Sequence, residues 1–296
     1  VIKFDGVFLF LCITFFEMKF NRPLITAQEL QQRIHQPDFI LLDCTIDKVG
    51  QSLKEEELQL IPTSLFFDLE GKFSDHSNNL PHTMIDENTF TQEAKQLGIH
   101  KNSILICYDR WGIYSSPRVW WMFKTMGHEE VYVLDGGLPE WKKNHFEIVS
   151  DYSQPLKNGD FIAHFQKDWF ADTQIMLNAI HDQSKTIIDA RSEGRFNGSS
   201  PEPRKGLRSG HLPNSKHLFF ENVLDDTTYK SKEDLKSIFE KLTKENQENI
   251  FSCGSGITAS ILALASTVAG YKNVKVYDGS WSEWGANENL PIEKNS

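Results

Sequence analysis

Leu134-Asp135-Gly136-Gly137-Leu138-Pro139-Glu140-Trp141 returns 143 residues later as Tyr277-Asp278-Gly279-Ser280-Trp281-Ser282-Glu283-Trp284. A short β-branched run precedes each copy, Val131-Tyr132-Val133 and Val274-Lys275-Val276. Ile40-Leu41-Leu42-Asp43 likewise matches Ile187-Ile188-Asp189-Ala190, and Ile61-Pro62-Thr63-Ser64 matches Leu212-Pro213-Asn214-Ser215. A fourth pair is Ile104-Leu105-Ile106-Cys107 with Asn249-Ile250-Phe251-Ser252. The pairs keep one order, at spacings far above the roughly 20–50 residues of a solenoid unit. They point to duplication of a whole domain. The chain has 296 residues, and at roughly 100–200 residues per domain two domains are expected.

Each half alternates short apolar strands with helical stretches, among them residues 28–35, 117–126, 235–242 and 257–269. That alternation predicts an α/β fold, with a mainly parallel sheet flanked by helices in each half. Gly127 and Gly270 stand where helix C-caps are expected. The expected layout is an N-terminal extension over 1–18, a first domain over 19–149, a linker over 150–166 and a second domain over 167–296. Pro155, Gly159 and weak periodicity mark the linker. Within the extension, the mostly apolar run from Val7 to Phe16 is too short to span a bilayer. Phe15-Phe16-Glu17-Met18 offers no small-residue cleavage site, and Met18-Lys19 reads as a natural start, with a weak export signal as the alternative.

Hydrophobic residues make up 39% and charged residues 24%, an ordinary globular composition. A net charge of −10 argues against nucleic-acid binding, which needs a basic surface. With no long apolar stretch, no membrane association is expected either. Of the four cysteines, Cys12, Cys44, Cys107 and Cys253, none forms a C-x-x-C pair, so neither a metal site nor a thioredoxin-type motif is expected. Cys44 and Cys107 lie in apolar runs and are expected to pack in the core.

Cys253 is different. It opens Cys253-Gly254-Ser255-Gly256 between the strand-like Ile250-Phe251-Ser252 and a helix rich in small apolar residues from Ile257. Two glycines let the backbone curl with successive N–H groups pointing inward. The helix adds its positive end, a setting that favours a thiolate. A phosphate-binding loop needs Lys where Ile257 stands. A cysteine phosphatase needs an Arg at Ala259 to clamp phosphate. Sulfur transfer needs neither, only a thiolate and N–H groups that steady a persulfide anion.

Cys253-Gly254-Ser255-Gly256-Ile257-Thr258-Ala259 resembles the active loop of two-domain 3-mercaptopyruvate sulfurtransferases, relatives of rhodanese. The resemblance extends from about Pro23 to Pro291. It includes Phe66-Phe67-Asp68, Tyr114-Ser115-Ser116-Pro117-Arg118-Val119-Trp120-Trp121, Leu134-Asp135-Gly136-Gly137-Leu138, Gly194-Arg195-Phe196 and Pro201-Glu202-Pro203-Arg204. It implies two tandem rhodanese-like domains and sulfur carriage on Cys253. By the same resemblance Arg195 and Arg204 hold the carboxylate and keto oxygens of mercaptopyruvate, a task suited to guanidinium forks. Gly254, Gly256, Ile257 and Thr258 complete the expected substrate-binding set. Ser255, His82 and Glu70 match a proton-transfer set, with Glu70 where many relatives carry Asp and His76 as the competing histidine.

The first half has no cysteine after its matching strand; Asp109-Arg110-Trp111-Gly112 stands there. It is expected to shape the cleft while the second half supplies the nucleophile. Thiosulfate-specific relatives place basic residues directly after the cysteine, whereas Gly254 and Ser255 are neutral. Mercaptopyruvate is therefore the expected donor. A thiol such as thioredoxin, or cyanide, is the expected acceptor, and no cofactor or metal is expected. A cytoplasmic monomer completes the picture. The rivals are a thiosulfate:cyanide sulfurtransferase and a non-catalytic rhodanese-like binding or sensor module.

Overall fold

Two five-stranded sheets built to one plan form the frame of a computed structural model that describes residue 20 and residues 22–294. The expected extension over 1–18 lies outside the described residues, as does Cys12. The first sheet contains β1 (Leu24–Ile25), β2 (Phe39–Asp43), β3 (Leu65–Phe66), β4 (Ile104–Tyr108) and β5 (Val131–Leu134). Their order is β1-β5-β4-β2-β3, with every pair parallel. The second contains β6 (Phe170–Ala171), β7 (Lys185–Asp189), β8 (Lys216–His217), β11 (Glu248–Ser252) and β12 (Val274–Tyr277). It runs β6-β12-β11-β7-β8, also all parallel. A small antiparallel hairpin, β9 (Leu224–Asp225) and β10 (Thr228–Tyr229), sits between β8 and β11 in the chain.

The sequence repeats fall on matching places. The two Asp-Gly pairs follow β5 and β12, and Asp43 and Asp189 end β2 and β7. The Ile-Pro-Thr-Ser and Leu-Pro-Asn-Ser turns are built alike. Thr63 has φ 69° and Asn214 φ 59°. Ser64 and Ser215 each donate their hydroxyl to the carbonyl three residues back, at 2.5 and 2.6 Å.

Helices cover both faces of each sheet. α1 (Ala27–Gln31) and α4 (Gly137–Lys143) pack on the outer face of the first sheet, and α5 (Thr173–Ala179) and α9 (Ser280–Trp284) on that of the second. The inner faces of both sheets share one continuous core, which also takes in α2 (Glu87–Gln96), α3 (Ser116–Thr125), α7 (Lys232–Glu240) and α8 (Ile257–Ala269). α3 and α8 pack against each other at its centre and are buried almost all round, as expected of helices that serve two layers at once. Gly127 and Gly270 take φ 81° and 103° just past these helices, the left-handed geometry that ends a helix.

Helix α1 is shorter than its apolar spacing suggests. Residues 32–35 form turns, and Pro37 disfavours helical backbone at Gln36 just beyond them. Residues 150–167 carry no regular secondary structure and are tied along the first half. His164 and Gln166 donate N–H groups to Met126 and Thr125 carbonyls at 2.9 and 2.7 Å, and Phe161 is buried in the shared core.

Candidate active site

Cys253 follows β11 and is 2% exposed. Gly256 caps α8 in a left-handed conformation, φ 81°. A Cβ there would lie 2.6 Å from Arg118 Nη1, so only glycine fits the turn. Among the described residues, no protein group accepts a hydrogen bond from the N–H of Gly254, Ser255, Gly256, Ile257 or Thr258. These five donors form an anion cradle of the kind expected at a helix start. Behind it, Trp281 and Ser282 hold the loop by donating N–H groups to the carbonyls of Cys253 and Gly254 at 2.9 and 3.0 Å.

Two guanidiniums converge on the loop. A Cβ on Gly254 would stand 3.1 Å from Arg195 Nη2 and 3.6 Å from Arg204 Nη1. Arg195 comes from the short helix α6 (Glu193–Asn197) and is aimed by Glu202, whose oxygen accepts its Nη2–H at 2.6 Å. Glu202 also accepts from Arg191 Nη1 at 2.7 Å, and Arg191 binds Asp189 at 2.5 Å. Two carboxylates therefore balance Arg191 and Arg195. Arg204 is half-buried and has no hydrogen-bond or ion-pair partner among the described residues. One positive charge is left for a ligand.

The first half contributes His82, held at φ 61°. Its Nδ1 lies 3.0 Å from Ser255 Oγ and its Nε2 3.4 Å from Glu70 Oε1. The hydrogen bond to His82 holds the Glu70 carboxyl below its ordinary range, against a smaller effect of burial. His76 instead contacts the Gly71 carbonyl at 2.8 Å, away from this chain of groups. The His82 loop is clamped from two sides: Arg118 Nη2 donates to the His82 carbonyl at 2.6 Å, and Met84 N–H donates to Asp278 Oδ2 at 3.0 Å. Arg118 and Asp278 are themselves paired at 2.5 Å. Arg195, Arg204, Ser255, His82 and Glu70 thus gather around the Cys253 loop where the halves meet, whereas Ile257 and Thr258 lie in the first turn of α8 and the Ile257 side chain packs into the shared core.

A rhodanese-like domain model matches residues 26–144 and again 172–287. The 3-mercaptopyruvate sulfurtransferase of Escherichia coli K12 is 36% identical over 274 residues, 91% of this chain and 97% of its own. The mitochondrial thiosulfate/3-mercaptopyruvate sulfurtransferase 1 of Arabidopsis thaliana is 36% identical over 92% of this chain and 78% of its own. This chain belongs to the 3-mercaptopyruvate sulfurtransferase family. The crystal structure of one 3-mercaptopyruvate sulfurtransferase, SseA from Escherichia coli, superposes with a TM-score of 0.79 at 32% identity, over 88% of this chain and 99% of that one.

In this member of the 3-mercaptopyruvate sulfurtransferase family the first half carries a cradle that fills itself. Asp109 occupies the position after β4 that Cys253 occupies after β11. One oxygen, Asp109 Oδ2, accepts the N–H groups of Tyr114, Ser115 and Ser116 at 2.9–3.0 Å and the Ser116 hydroxyl at 2.7 Å. The first domain thus supplies its own anion where the second leaves room for one. Cys44 and Cys107 are fully buried in the core.

Three neighbours of the site were not singled out from sequence. Tyr114, from the first half, is buried. Burial pushes its hydroxyl up to about 12; the charge of Cys253 adds to this, and Arg204 and Arg195 oppose it. Arg118 and Asp278 form the buried pair across the halves. The signal was there: a lone arginine in the apolar run Arg118-Val119-Trp120-Trp121 needs a buried partner.

Proposed function

We propose that the chain moves sulfur from 3-mercaptopyruvate to a thiol or cyanide acceptor through a persulfide on Cys253, releasing pyruvate. The observation that carries this reading is the convergence of Arg195 and Arg204 over Gly254, one residue from the thiol. Their surplus of a single positive charge suits a substrate with one carboxylate. The 3-mercaptopyruvate sulfurtransferases to which the chain is similar support it.

The Cys253 thiolate attacks the substrate sulfur. The carbon–sulfur bond breaks with its electron pair going to carbon, giving the pyruvate enolate. The proton of the new persulfide passes through Ser255 and His82 to that carbon, and pyruvate leaves. Glu70 orients His82. The persulfide anion, steadied by the free N–H groups of the loop, hands its outer sulfur to a thiolate or to cyanide and Cys253 is regenerated. No metal or cofactor takes part. A dithiol such as thioredoxin would release hydrogen sulfide and leave as a disulfide. We place the chain in the cytoplasm as a monomer; no described helix is long and apolar enough to cross a membrane.

Mass spectrometry after brief treatment with 3-mercaptopyruvate tests the reading. A gain of ~32 Da on Cys253, one sulfur atom held as a reversible thiol cap, is expected. It should be absent in Cys253→Ser. An unmodified Cys253 would rule out the enzyme reading and favour a binding module. Turnover with thiosulfate is expected to be slower, and a reversed donor preference would make the chain a thiosulfate:cyanide sulfurtransferase.

A further inference from the structure

Ser280 stands at φ 49°, a left-handed backbone that is costly for any residue with a side chain. Its counterpart in the first half, Gly137, has φ 51°. The surroundings also match. Leu138 N–H donates to the Asp109 carbonyl at 3.1 Å, as Trp281 N–H donates to that of Cys253 at 2.9 Å. At position 137 a side chain is excluded, since a Cβ would lie 2.3 Å from the Asp109 carbonyl oxygen and 2.6 Å from that of Gly112. The shorter loop after Cys253 leaves room for one, and Ser280 fills it, fully buried. Its hydroxyl donates to the Tyr277 carbonyl at 2.8 Å and accepts the Cys253 N–H at 3.2 Å. The hydroxyl has one proton, so these two bonds fix its orientation.

We propose that Ser280 is a positioning residue for sulfur transfer. Its hydroxyl pins the peptide N–H of Cys253 and so sets where the nucleophilic sulfur points. The inference rests on Cys253 being the sulfur carrier. A side chain kept in a conformation for which the same chain elsewhere uses glycine marks a contact that outweighs backbone comfort. Trp281 and Ser282 hold only carbonyls of the loop; Ser280 is the residue of this segment that reaches the N–H of the nucleophile.

Ser280→Gly removes the hydroxyl and keeps a backbone that glycine already adopts at Gly137. It is expected to melt near the wild-type temperature, with an unchanged KM for 3-mercaptopyruvate. Persulfide formation on Cys253, followed by quenched mass spectrometry, should be about tenfold slower with either donor, the scale of a small misplacement of a reacting atom. Ser280→Ala should show the same kinetic loss together with a lower melting temperature, and it serves if the glycine variant does not fold. Wild-type persulfide rates in the folded variants, whatever their melting behaviour, would overturn the proposal. Failure of the unaltered chain to form a persulfide would instead remove the Cys253 reading, and the role of Ser280 with it.

Discussion

Asp135, just after the β5 strand of the first domain, accepts the backbone N–H of Tyr229 from the second at 2.9 Å. Its repeat counterpart Asp278 accepts the N–H of Met84 in the first domain at 3.0 Å. Each copy of the duplicated aspartate therefore reaches into the opposite half, and the two contacts are related by the same pseudo-symmetry as the sheets.

Burial pushes Asp135 up to about 6, with the Tyr229 N–H opposing. In the unfolded chain the carboxyl loses its proton near ~3.9, in the folded chain only near 6. Between those values the native state holds the extra proton, so stability falls as pH rises from about 4 to 6 and is flat above. Asp135→Asn keeps an acceptor for Tyr229 and does not ionise. Urea melts should find it more stable than wild type by on the order of 1–2 kcal/mol at pH 7.5, with the difference gone at pH 4. A difference that ignores pH would show that Asp135 does not titrate in this range.

The two clamp arginines should behave differently. Arg204 has no protein partner among the described residues, so Arg204→Met should leave stability within about 0.5 kcal/mol. It should lower kcat/KM for 3-mercaptopyruvate about 10- to 100-fold, the worth of a charged hydrogen bond. Arg195→Met strips Glu202, which is buried, of one of its two cations. It should therefore lose both substrate affinity and thermal stability. Equal effects on both properties in the two variants would remove the distinction.

His82 and Ser255 are needed where a carbon must gain a proton. Thiosulfate leaves as sulfite and has no such step. His82→Ala and Ser255→Ala should slow 3-mercaptopyruvate turnover about 100-fold or more and spare thiosulfate. Glu70→Gln should cost less, since the Glu70 side chain is 58% exposed and its bond to His82 is 3.4 Å long. Parallel losses on both donors would assign these groups to the cysteine rather than to the enolate.

Arg118 is fully buried, and its side chain pairs with Asp278 of the other half. Arg118→Met leaves a carboxylate with a single N–H partner and should destabilise the chain by about 3–5 kcal/mol, with the His82 loop losing one of its two anchors. Adding Asp278→Leu should recover much of that stability, because the stranded charge is gone. It should not recover 3-mercaptopyruvate turnover, because Met84 and His82 have lost their clamp. Thermal melts and donor assays on the single and double variants separate the two effects.

Much of the fold was legible because its signals are short-range. β5 and β12 announce themselves by β-branched runs ending in Asp-Gly, and α8 by small apolar residues after a glycine turn. Helix α2 was not anticipated. It buries only Phe90 and Ala94, so its apolar periodicity is weak, and its clearest mark is the Asp86 cap accepting the N–H groups of Asn88 and Thr89. The strap over 150–167 was legible as irregular, yet its bonding along the first half was not, because backbone partners such as Met126 and Thr125 carry no sequence signature.

The sequence by itself determined the duplication, the strand–loop–helix at Cys253, the loss of the thiol at Asp109 and the neutral character of Gly254 and Ser255. The duplication follows from matching short motifs in the same order, and the others from residues close together in the chain, where backbone geometry and charge are set locally. Only the tertiary structure decided that His82 meets Ser255 from 173 residues away, that Arg118 meets Asp278 across 160, and that Arg195 and Arg204 close over Gly254. The first two depend on how α3 and α8 dock within the shared core, a packing between two whole domains that no local pattern encodes, and the third on how the second half folds its own loops together.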